Sequence, residues 1–245
     1  MLNRERLCPP NLPRTPVRKL LIGQRYAFLA DALRQLDVEA YFLPDIPEVD
    51  ARLAGHADLA AVTYDKTVFL GGAAGAQMVP VLRDLGFETQ HHEIAGAAYP
   101  HDAAFNACVM GKRIFHNRNF SVLQGKSGFV HVRQGYAKCS ICPVAPNALI
   151  TSDAGIVQAC MQERINVLHI RPGYIQLPGF GTGFIGGASF LLAPDSLAFV
   201  GDFHLHPDAV EIQRFLTVNG VRPICIGKGP LLDIGSAVLL TEAVK

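Results

Sequence analysis

Apolar and β-branched residues recur along the chain in pairs of short runs, each pair separated by a short polar turn. The pairs are Leu59–Val62 with Thr67–Leu70, Ala107–Met110 with Arg113–His116, Ile141–Val144 with Ala148–Thr151, and Ala188–Leu192 with Leu197–Val200. The turns between them contain Gly, Pro, Asn or Asp, the residues that β-hairpin turns favour. The pattern therefore predicts four β-hairpins.

A helical pattern and a further strand follow three of these hairpins. The predicted helices are Ala76–Leu85, one that begins after Asp153, and one from Pro207-Asp208 to Asn219-Gly220; the strands are Glu88–His91, Val167–Ile170 and Pro223–Ile226. Apolar residues three to four apart, with Asp before and Gly after, are typical of capped amphipathic helices. After the second hairpin, only Phe120–Gln124 offers a turn of helix before the strand Phe129–Arg133. The repeating unit is strand-strand-helix-strand.

The two chain ends together supply a fifth unit. Gly235–Leu240 is a lone C-terminal strand, while Val17–Gly23, a helix over Tyr26–Leu36 and the strand Val38–Leu43 lie near the N-terminus. Joining them into a ring leaves no unpaired sheet edge. The sequence thus predicts an α/β fold: a five-bladed α/β propeller in one domain, residues 17–245, with residues 1–16 as an N-terminal leader. An open α/β sheet is the alternative.

Composition narrows the function classes. The chain has 245 residues, 49% of them hydrophobic, and its 22 Lys and Arg nearly balance its 21 Asp and Glu. Nucleic-acid binding requires a clustered basic surface, and a membrane span requires about 20 consecutive apolar residues; neither pattern is present, so we expect neither partner. The start of the chain has no signal-peptide pattern. Most of the six cysteines lie in apolar runs, as is typical of reduced thiols in a cytoplasmic protein.

Polar residues stand at equivalent places before the first strand of several units. These are Asp58, Asp102, Lys138-Cys139, Gly186-Gly187, Asp233 and Ser236. Equivalent positions in a ring meet at one end of its channel, so the repeat predicts a pocket there. Carboxylates in such a pocket suit a guanidinium or ammonium ligand, with Asp58, Asp102, Asn106, Asp233 and Ser236 as the substrate-binding residues. The alternative is that each Asp caps a turn or a helix.

Cys139 is the candidate nucleophile, because it alone among the cysteines lies in a polar context, between Lys138 and Ser140. A neighbouring ammonium lowers a thiol pKa. On a regular strand, however, adjacent residues face opposite sides, so Lys138 and Cys139 would not both line the channel. A buried structural thiol is the alternative. Cys139 and Cys142 do not suggest a zinc site, because no second pair completes four ligands.

Two further segments suggest additional roles. Asp202, His204 and His206 would share one face of an extended chain, so they could form a metal half-site, or His204 could act as a catalytic base; solvated loop residues are the alternative. The Gly181–Gly186 run matches a dinucleotide motif in letters but lacks its strand-to-helix context. We expect residues 171–187 to form a lid or a connector, and we expect no metal and no cofactor.

The predicted architecture resembles the pentein fold of the guanidino-group-modifying enzymes. Residues 56–62, His-Ala-Asp-Leu-Ala-Ala-Val, are similar to the second-blade strand of that family, with Asp58 at the position of its Asp. Asp102 and the stretch to Asn119 are similar to its third blade. Lys138 falls where the dimethylarginine dimethylaminohydrolases have His-Leu-Lys. The resemblance implies a hydrolase or transferase acting on a small guanidino or cationic amino-acid-like compound.

The sequence departs from the family at its catalytic motif. By the same count, Tyr136 stands at the position of the family's general acid/base His, and Leu239 at that of its nucleophilic Cys. Residues 135–140 and 183–189 resemble an uncharacterised bacterial branch of this fold. Two hypotheses follow: an enzyme with Cys139 as a relocated nucleophile, assisted by Lys138 or His204, or an inactive scaffold that binds a small ligand or a protein. The sequence does not indicate an oligomeric state.

Overall fold

Each predicted hairpin forms an antiparallel strand pair in the structure, a computed structural model that describes residues 4–244. The strands are β1 (Glu5–Leu7), β2 (Val17–Gly23), β3 (Glu39–Leu43), β4 (Ala61–Tyr64), β5 (Thr67–Gly71), β6 (Glu88–His92), β7 (Cys108–Met110), β8 (Arg113–His116), β9 (Phe129–His131), β10 (Cys142–Ala145), β11 (Ala148–Thr151), β12 (Asn166–His169), β13 (Ser189–Ala193), β14 (Ser196–Val200), β15 (Arg222–Ile226) and β16 (Val238–Ala243). The α-helices are α1 (Ala30–Arg34), α2 (Gly72–Asp84), α3 (Ala137–Ser140), α4 (Ala154–Gln162) and α5 (Ala209–Val218). Short 3-10 turns span Gln24–Leu29, Ala57–Leu59 and Phe203–Leu205.

The strands form five small sheets, which are the five blades. In four of them the order is that of the chain: β4-β5-β6, β7-β8-β9, β10-β11-β12 and β13-β14-β15. The first pair in each sheet is antiparallel and the second is parallel. A short turn can join the antiparallel strands, whereas the parallel strands need the longer crossover connection that follows each hairpin. The prediction of a five-bladed α/β propeller is confirmed, and the open-sheet alternative is wrong.

The fifth sheet closes the ring with both chain ends, in the order β1-β16-β2-β3. β16 lies antiparallel to β2, and β2 is parallel to β3. The segment predicted as a leader contributes β1, which pairs with β16, and the buried carboxylate of Glu242 accepts hydrogen bonds from the amides of Arg14 and Thr15 at 2.6 and 3.2 Å. Part of residues 1–16 is therefore built into the sheet.

Two predicted helices differ from the structure. Residues 120–124 form turns rather than a helix. In the described residues, the connection from β8 to β9 therefore contains no α-helix. The first predicted helix is split into a 3-10 turn, Gln24–Leu29, and the five residues of α1. Elsewhere the capping signals act as expected: the Asp153 side chain accepts a hydrogen bond from the Ile156 amide at 2.9 Å and begins α4.

The apolar side chains pack between blades and around the ring. A cavity of about 20 Å³ is lined by Pro10, Asn11, Asp58, Lys138 and Leu239, among others. Over residues 4–244, no helix combines the length and the apolar character that crossing a membrane requires. All six cysteines are free thiols.

Candidate functional site

A second cavity, of about 200 Å³, lies where four blades begin. Its wall comes from the segments that precede β4, β10, β13 and β16. The lining residues are Leu53, His56, Leu59, Tyr136, Cys139, Leu177, Phe180, Thr182, Phe184 and Asp233. Segments from equivalent places in four blades thus meet at this cavity. Of the predicted substrate-binding residues, Asp233 lines it, whereas Asp58 lines the 20 Å³ cavity.

Cys139 reaches this wall from the single helical turn α3, not from a strand. The Asn106 side chain fixes this turn, since its Oδ1 accepts from the Cys139 amide at 3.1 Å while its main-chain oxygen accepts from the Lys138 amide at 3.0 Å. The Gly187 amide donates to the Cys139 carbonyl at 2.8 Å. The objection that adjacent residues of a regular strand face opposite sides does not apply here, because Lys138 and Cys139 lie on a helical turn, where successive residues are about 100° apart, and both are buried.

The thiol of Cys139 is paired with a carboxyl. Its Sγ donates to Asp58 Oδ2 at 2.8 Å and accepts from Asn106 Nδ2 at 3.5 Å. Burial raises the pKa of Asp58 to about 7, with the charge of Asp233 adding to the rise. Burial, followed by the negative charges of Asp58 and Asp233, raises the pKa of Cys139 well above that of a free thiol. In the free protein the proton therefore stays on sulfur.

Asp233 is held by backbone amides. Phe184 N–H donates to its Oδ2 at 2.9 Å and Gly235 N–H to its Oδ1 at 3.0 Å. The backbone at residue 187 passes so close to the Asp233 carboxylate that a Cβ there would collide with it, so this position requires glycine. Burial raises the pKa of Asp233, although the nearby His56 imidazole lowers it.

His56 is the imidazole of the cavity. Its Nδ1 lies 3.9 Å from Asp233 Oδ1, and its buried Nε2 has no hydrogen-bond partner. Burial lowers the pKa of His56, so the neutral ring is favoured. His56 is a site residue that was not predicted from the sequence, although it stands two residues before Asp58 in the stretch that precedes β4.

Lys138 and Ser236 form a contact on the other side of α3. Lys138 Nζ donates to Ser236 Oγ, which donates to the Ser189 carbonyl at 3.0 Å. Lys138 lines the 20 Å³ cavity, while Cys139 lines the larger one. The ammonium charge lowers the pKa of both Asp58 and Asp233, so Lys138 acts on the site through its field.

Asp102 lies behind the cavity wall rather than on it. Its Oδ2 accepts from the Tyr136 hydroxyl at 2.7 Å, and Oδ1 has no partner. Burial raises the pKa of Asp102. Because Tyr136 lines the cavity and Asp102 does not, Asp102 is placed to orient the phenol.

His204 belongs to a separate, exposed group. Its Nδ1 lies 2.7 Å from Asp202 Oδ1, and Cys225 Sγ lies 3.8 Å from the same oxygen. The 3-10 turn over residues 203–205 bends the segment, so the extended arrangement with His206 does not form; the Nδ1 of His206 instead accepts from the Asp208 amide at 3.0 Å. The structure does not bring His204 to Cys139.

Among residues 4–244, two groups of side chains could hold a metal ion, which the sequence did not lead us to expect. In the first, donor atoms of His56, Cys139 and Asp233 lie within 4.8 Å of one another in the interior. The second is the exposed group of Asp202, His204 and Cys225. Imidazole, thiolate and carboxylate together suit zinc. The inner group coincides with the candidate nucleophile, so a bound metal would compete with thiol chemistry there.

The segment from residue 173 to 183 covers the cavity. Leu177, Phe180 and Thr182 line it from this side, and the Arg52 guanidinium lies 4.2 Å from the centre of the Phe180 ring and donates to the Gly179 carbonyl at 2.9 Å. Arg52, in the turn region between β3 and β4, therefore holds this segment in place. Part of residues 171–187, which were expected to form a lid or a connector, thus lines the cavity.

In this chain, Tyr136 and Leu239 stand at the positions where the resemblance to the guanidino-modifying enzymes would place the catalytic His and Cys. Tyr136 lines the cavity, while Leu239 lies in β16, 2% exposed, beside the smaller cavity. A leucine side chain has no nucleophilic atom, so any thiol chemistry must come from another position. Cys139 is the cavity-lining cysteine among residues 4–244.

Residues 21–238 match the family of unknown function DUF6873. No curated protein matches the chain. Among solved structures, the inosamine-phosphate amidinotransferase of Streptomyces griseus is similar over 99% of this chain and 98% of its own, with a TM-score of 0.59 and 10% identity. Dimethylarginine dimethylaminohydrolase from Pseudomonas aeruginosa is similar over 94% of this chain and 100% of its own, with a TM-score of 0.53 and 9% identity. Agmatine deiminase from C. jejuni matches at 7% identity and a TM-score of 0.50, over 92% of each chain. At such identities the likeness establishes the pentein fold.

Proposed function

Because this chain belongs to the family of unknown function DUF6873 and has the fold of the guanidino-modifying enzymes, we propose that it is a hydrolase or transferase acting on a small guanidino or cationic amino-acid-like compound. The amidinotransferase, dimethylaminohydrolase and deiminase among the similar structures are named for such reactions. The nucleophile is Cys139, and the cation is bound beside it.

One observation carries the proposal: at the wall of the 200 Å³ cavity, Asp233 lies close to the Cys139 thiol, and that thiol donates a hydrogen bond to the buried Asp58. Asp58 Oδ1 and His56 Nε2 are buried without hydrogen bonds, and burial raises the pKa of both Asp58 and Asp233. A guanidinium supplies positive charge and N–H donors in a planar arrangement that matches carboxylates. Its binding would lower these raised pKa values, because a nearby cation favours the charged form.

The geometry suggests how Cys139 is activated. Asp58 Oδ2, 2.8 Å from the sulfur, takes the thiol proton, and a bound guanidinium compensates the negative charge that remains. The thiolate then attacks the guanidino carbon and forms a C–S bond. The C–N bond to the leaving amine breaks as the amine takes the proton from Asp58.

The second half of the reaction needs water, or an amine in a transferase. Water adds to the carbon attached to sulfur and gives a proton to Asp58; the C–S bond breaks, and the thiolate takes that proton back. His56, rather than His204, is the imidazole close enough to hold the water, since its donor atom lies within 4.8 Å of the sulfur. The positive charge of Lys138 stabilises the ionised forms of Asp58 and Asp233.

A ligand-binding protein without catalysis is the second candidate. The negative charge of Asp58 raises the pKa of the Cys139 thiol, whereas nucleophilic cysteines commonly have a lowered pKa. The Leu239 side chain at the family's nucleophile position favours the same interpretation. Both candidates predict that a cation binds; they differ in turnover.

Incubation with guanidino compounds distinguishes the two. Arginine, agmatine, methylated arginines and peptidyl-arginine are offered to the wild type, to Cys139→Ser, and to Cys225→Ser as the thiol control; mass spectrometry then detects ureido or transferred products. Turnover that Cys139→Ser abolishes and Cys225→Ser retains supports the enzyme. Thermal stabilisation by a cation without product supports the binding protein, and neither effect with any cation would contradict both.

The partner in this proposal is a small molecule, with neither nucleic acid nor membrane involved. A cytoplasmic location is part of the same proposal and is supported by the six free thiols, since reducing compartments keep cysteines unpaired.

A further inference from the structure

We infer that the ligand of the 200 Å³ cavity has its positive charge at one end, a hydrocarbon group at the other, and no carboxylate. This inference rests on the proposed function, because it concerns the same cavity. It departs from arginine-like substrates, whose far end is a charged amino acid.

The cavity has two chemically different ends. His56, Cys139 and Asp233 lie together, with donor atoms within 4.8 Å of one another. The rest of the wall is mainly apolar: Leu53, Leu59, Leu177, Phe180 and Phe184. A cation near Asp233 would therefore extend its remaining atoms along leucine and phenylalanine side chains, where burial of each CH₂ contributes about 0.8 kcal/mol.

A carboxylate at the far end would have no cationic partner in this wall. Among the residues that line the cavity within the described chain, none is Lys or Arg. The amino group of Lys138 is bonded to Ser236 on the side of the smaller cavity. Arg52 is already engaged, since its guanidinium bonds the Asp50 carboxylate at 2.6 Å and the Gly179 carbonyl at 2.9 Å. An unpaired charge in an apolar environment is strongly disfavoured.

A second ammonium at the far end is disfavoured for the same reason. The carboxyls of the site lie at its polar end, and the polar atoms near the lid are a hydroxyl, on Thr182, and main-chain groups. The cavity has a volume of about 200 Å³. A guanidinium with a short alkyl chain fits this size.

Calorimetric titration with matched ligands tests the inference. The probes are n-butylguanidinium, agmatine, which adds a terminal ammonium, and arginine, which adds an amino acid group. We expect n-butylguanidinium to bind at least about tenfold more tightly than either, a difference of about 1.4 kcal/mol. Asp233→Asn serves as the control that weakens all cationic ligands.

A charge placed at the apolar end should reverse the preference. Thr182 lines the lid side of the cavity and is partly exposed, so Thr182→Lys introduces an ammonium with little disturbance, and Thr182→Met matches its length without charge. We expect Thr182→Lys to improve arginine binding relative to n-butylguanidinium by about tenfold, as a charge-assisted hydrogen bond would, and Thr182→Met to leave the ratio unchanged.

Two results would overturn the inference. If arginine binds the wild type as tightly as n-butylguanidinium, the inference is wrong while the proposed function stands. If no guanidinium compound binds, both are wrong. A circular dichroism melt of each variant shows that the compared proteins are folded.

Discussion

The contact between Asp58 and Cys139 determines what chemistry the site can support. A carboxyl whose pKa is raised to about 7 by burial lies 2.8 Å from a thiol whose pKa is raised by the same burial and by that carboxyl. The thiol of Cys139 therefore keeps its proton in the free protein, while Asp58 is close to the midpoint of its titration at neutral pH. Under the proposed function, a bound cation shifts both groups toward ionisation and so couples reactivity to ligand binding.

Alkylation rates measure this coupling. We expect iodoacetamide to modify the exposed Cys225 before the buried Cys139, because Cys139 is both inaccessible and protonated. Asp58→Asn removes the charge that raises the pKa of Cys139, so Cys139 should react several-fold faster in that variant, relative to Cys225, while turnover is lost with the proton acceptor. Peptide mass spectrometry over time gives both rates. Faster modification of Cys139 than of Cys225 in the wild type would contradict the burial argument.

Stability should depend on pH through Asp58. Its pKa is about 7 in the folded protein against the ordinary 3.8, so the folded state binds more protons in this interval. Its contribution to stability is present below about pH 4 and is lost as the pH rises toward 7. The slope is about −1.4 kcal/mol per pH unit.

Urea unfolding between pH 4 and pH 7 tests that slope. Asp58→Asn cannot lose a proton, so it should gain free energy of unfolding relative to the wild type as the pH rises. Asp37→Asn, at an exposed carboxyl, is the control. Parallel curves for wild type and Asp58→Asn would show that the pKa of Asp58 is not raised.

At the scale of elements, the segment between β12 and β13 has two roles. It lines the 200 Å³ cavity, and its Phe184 amide donates a hydrogen bond to Asp233. Its glycines differ in surroundings: a Cβ at residue 187 would overlap Asp233, whereas a Cβ at residue 181 meets nothing within 4 Å. Contact with Asp233 thus requires glycine at residue 187, whereas residue 181 has room for a side chain.

Gly187→Ala and Gly181→Ala form a matched pair. We expect the first to lower the free energy of unfolding by about 2 kcal/mol or more, since crowding in a packed interior is costly, and to weaken cation binding. The second should stay within about 0.5 kcal/mol of the wild type. Thermal unfolding and ligand titration provide the two measurements, and equal effects of the two substitutions would exclude the contact with Asp233 as the cause.

The lid depends on Arg52 at its outer side. Arg52→Ala removes the contact with the Phe180 ring and the hydrogen bond to Gly179. Because exposed ion pairs stabilise proteins by only about 0–1 kcal/mol, we expect little change in melting temperature. We expect faster proteolysis within residues 173–183 and several-fold faster ligand dissociation. Arg34→Ala, which breaks an exposed pair with Asp31, should change neither property.

At the scale of the molecule, ring closure depends on the N-terminal segment. β1 pairs with β16, and Glu242, with its side chain fully buried, accepts from Arg6 Nε at 2.7 Å as well as from the two amides before β2. Pro10 and Asn11 of the same segment also line the 20 Å³ cavity. A leader separate from the domain would make none of these contacts.

Deletion of residues 1–16 should therefore destabilise the protein by several kcal/mol, because a buried carboxylate left without partners is costly. Glu242→Gln in the truncated chain should recover part of the loss, since the neutral amide tolerates burial better than a carboxylate. Chemical unfolding of the full chain, the truncated chain and the truncated Glu242→Gln chain makes the comparison. A truncated chain as stable as the full one would show that residues 1–16 are a dispensable leader.

Much of the fold could be predicted from the sequence because its signals are local. Hairpin turns such as Gly111-Lys112 and the cap at Asp153 depend on neighbours along the chain, and the strand-strand-helix-strand repeat then implied a ring. The sequence also placed Asp58, Cys139 and Asp233 at equivalent offsets, where the structure brings them to one end of the channel.

Tertiary structure alone decided how these side chains meet. The helical turn α3 is held by hydrogen bonds to Asn106, which is 33 positions away from Cys139 in the sequence. No local sequence pattern therefore predicts this turn. His56 joins the site and His204 does not because burial and packing, rather than spacing, set their distances to the sulfur. The sequence determined the ring and the residues at its end, since repeated local patterns encode both; the partners and protonation of each group depend on contacts between blades, which only the closed ring creates.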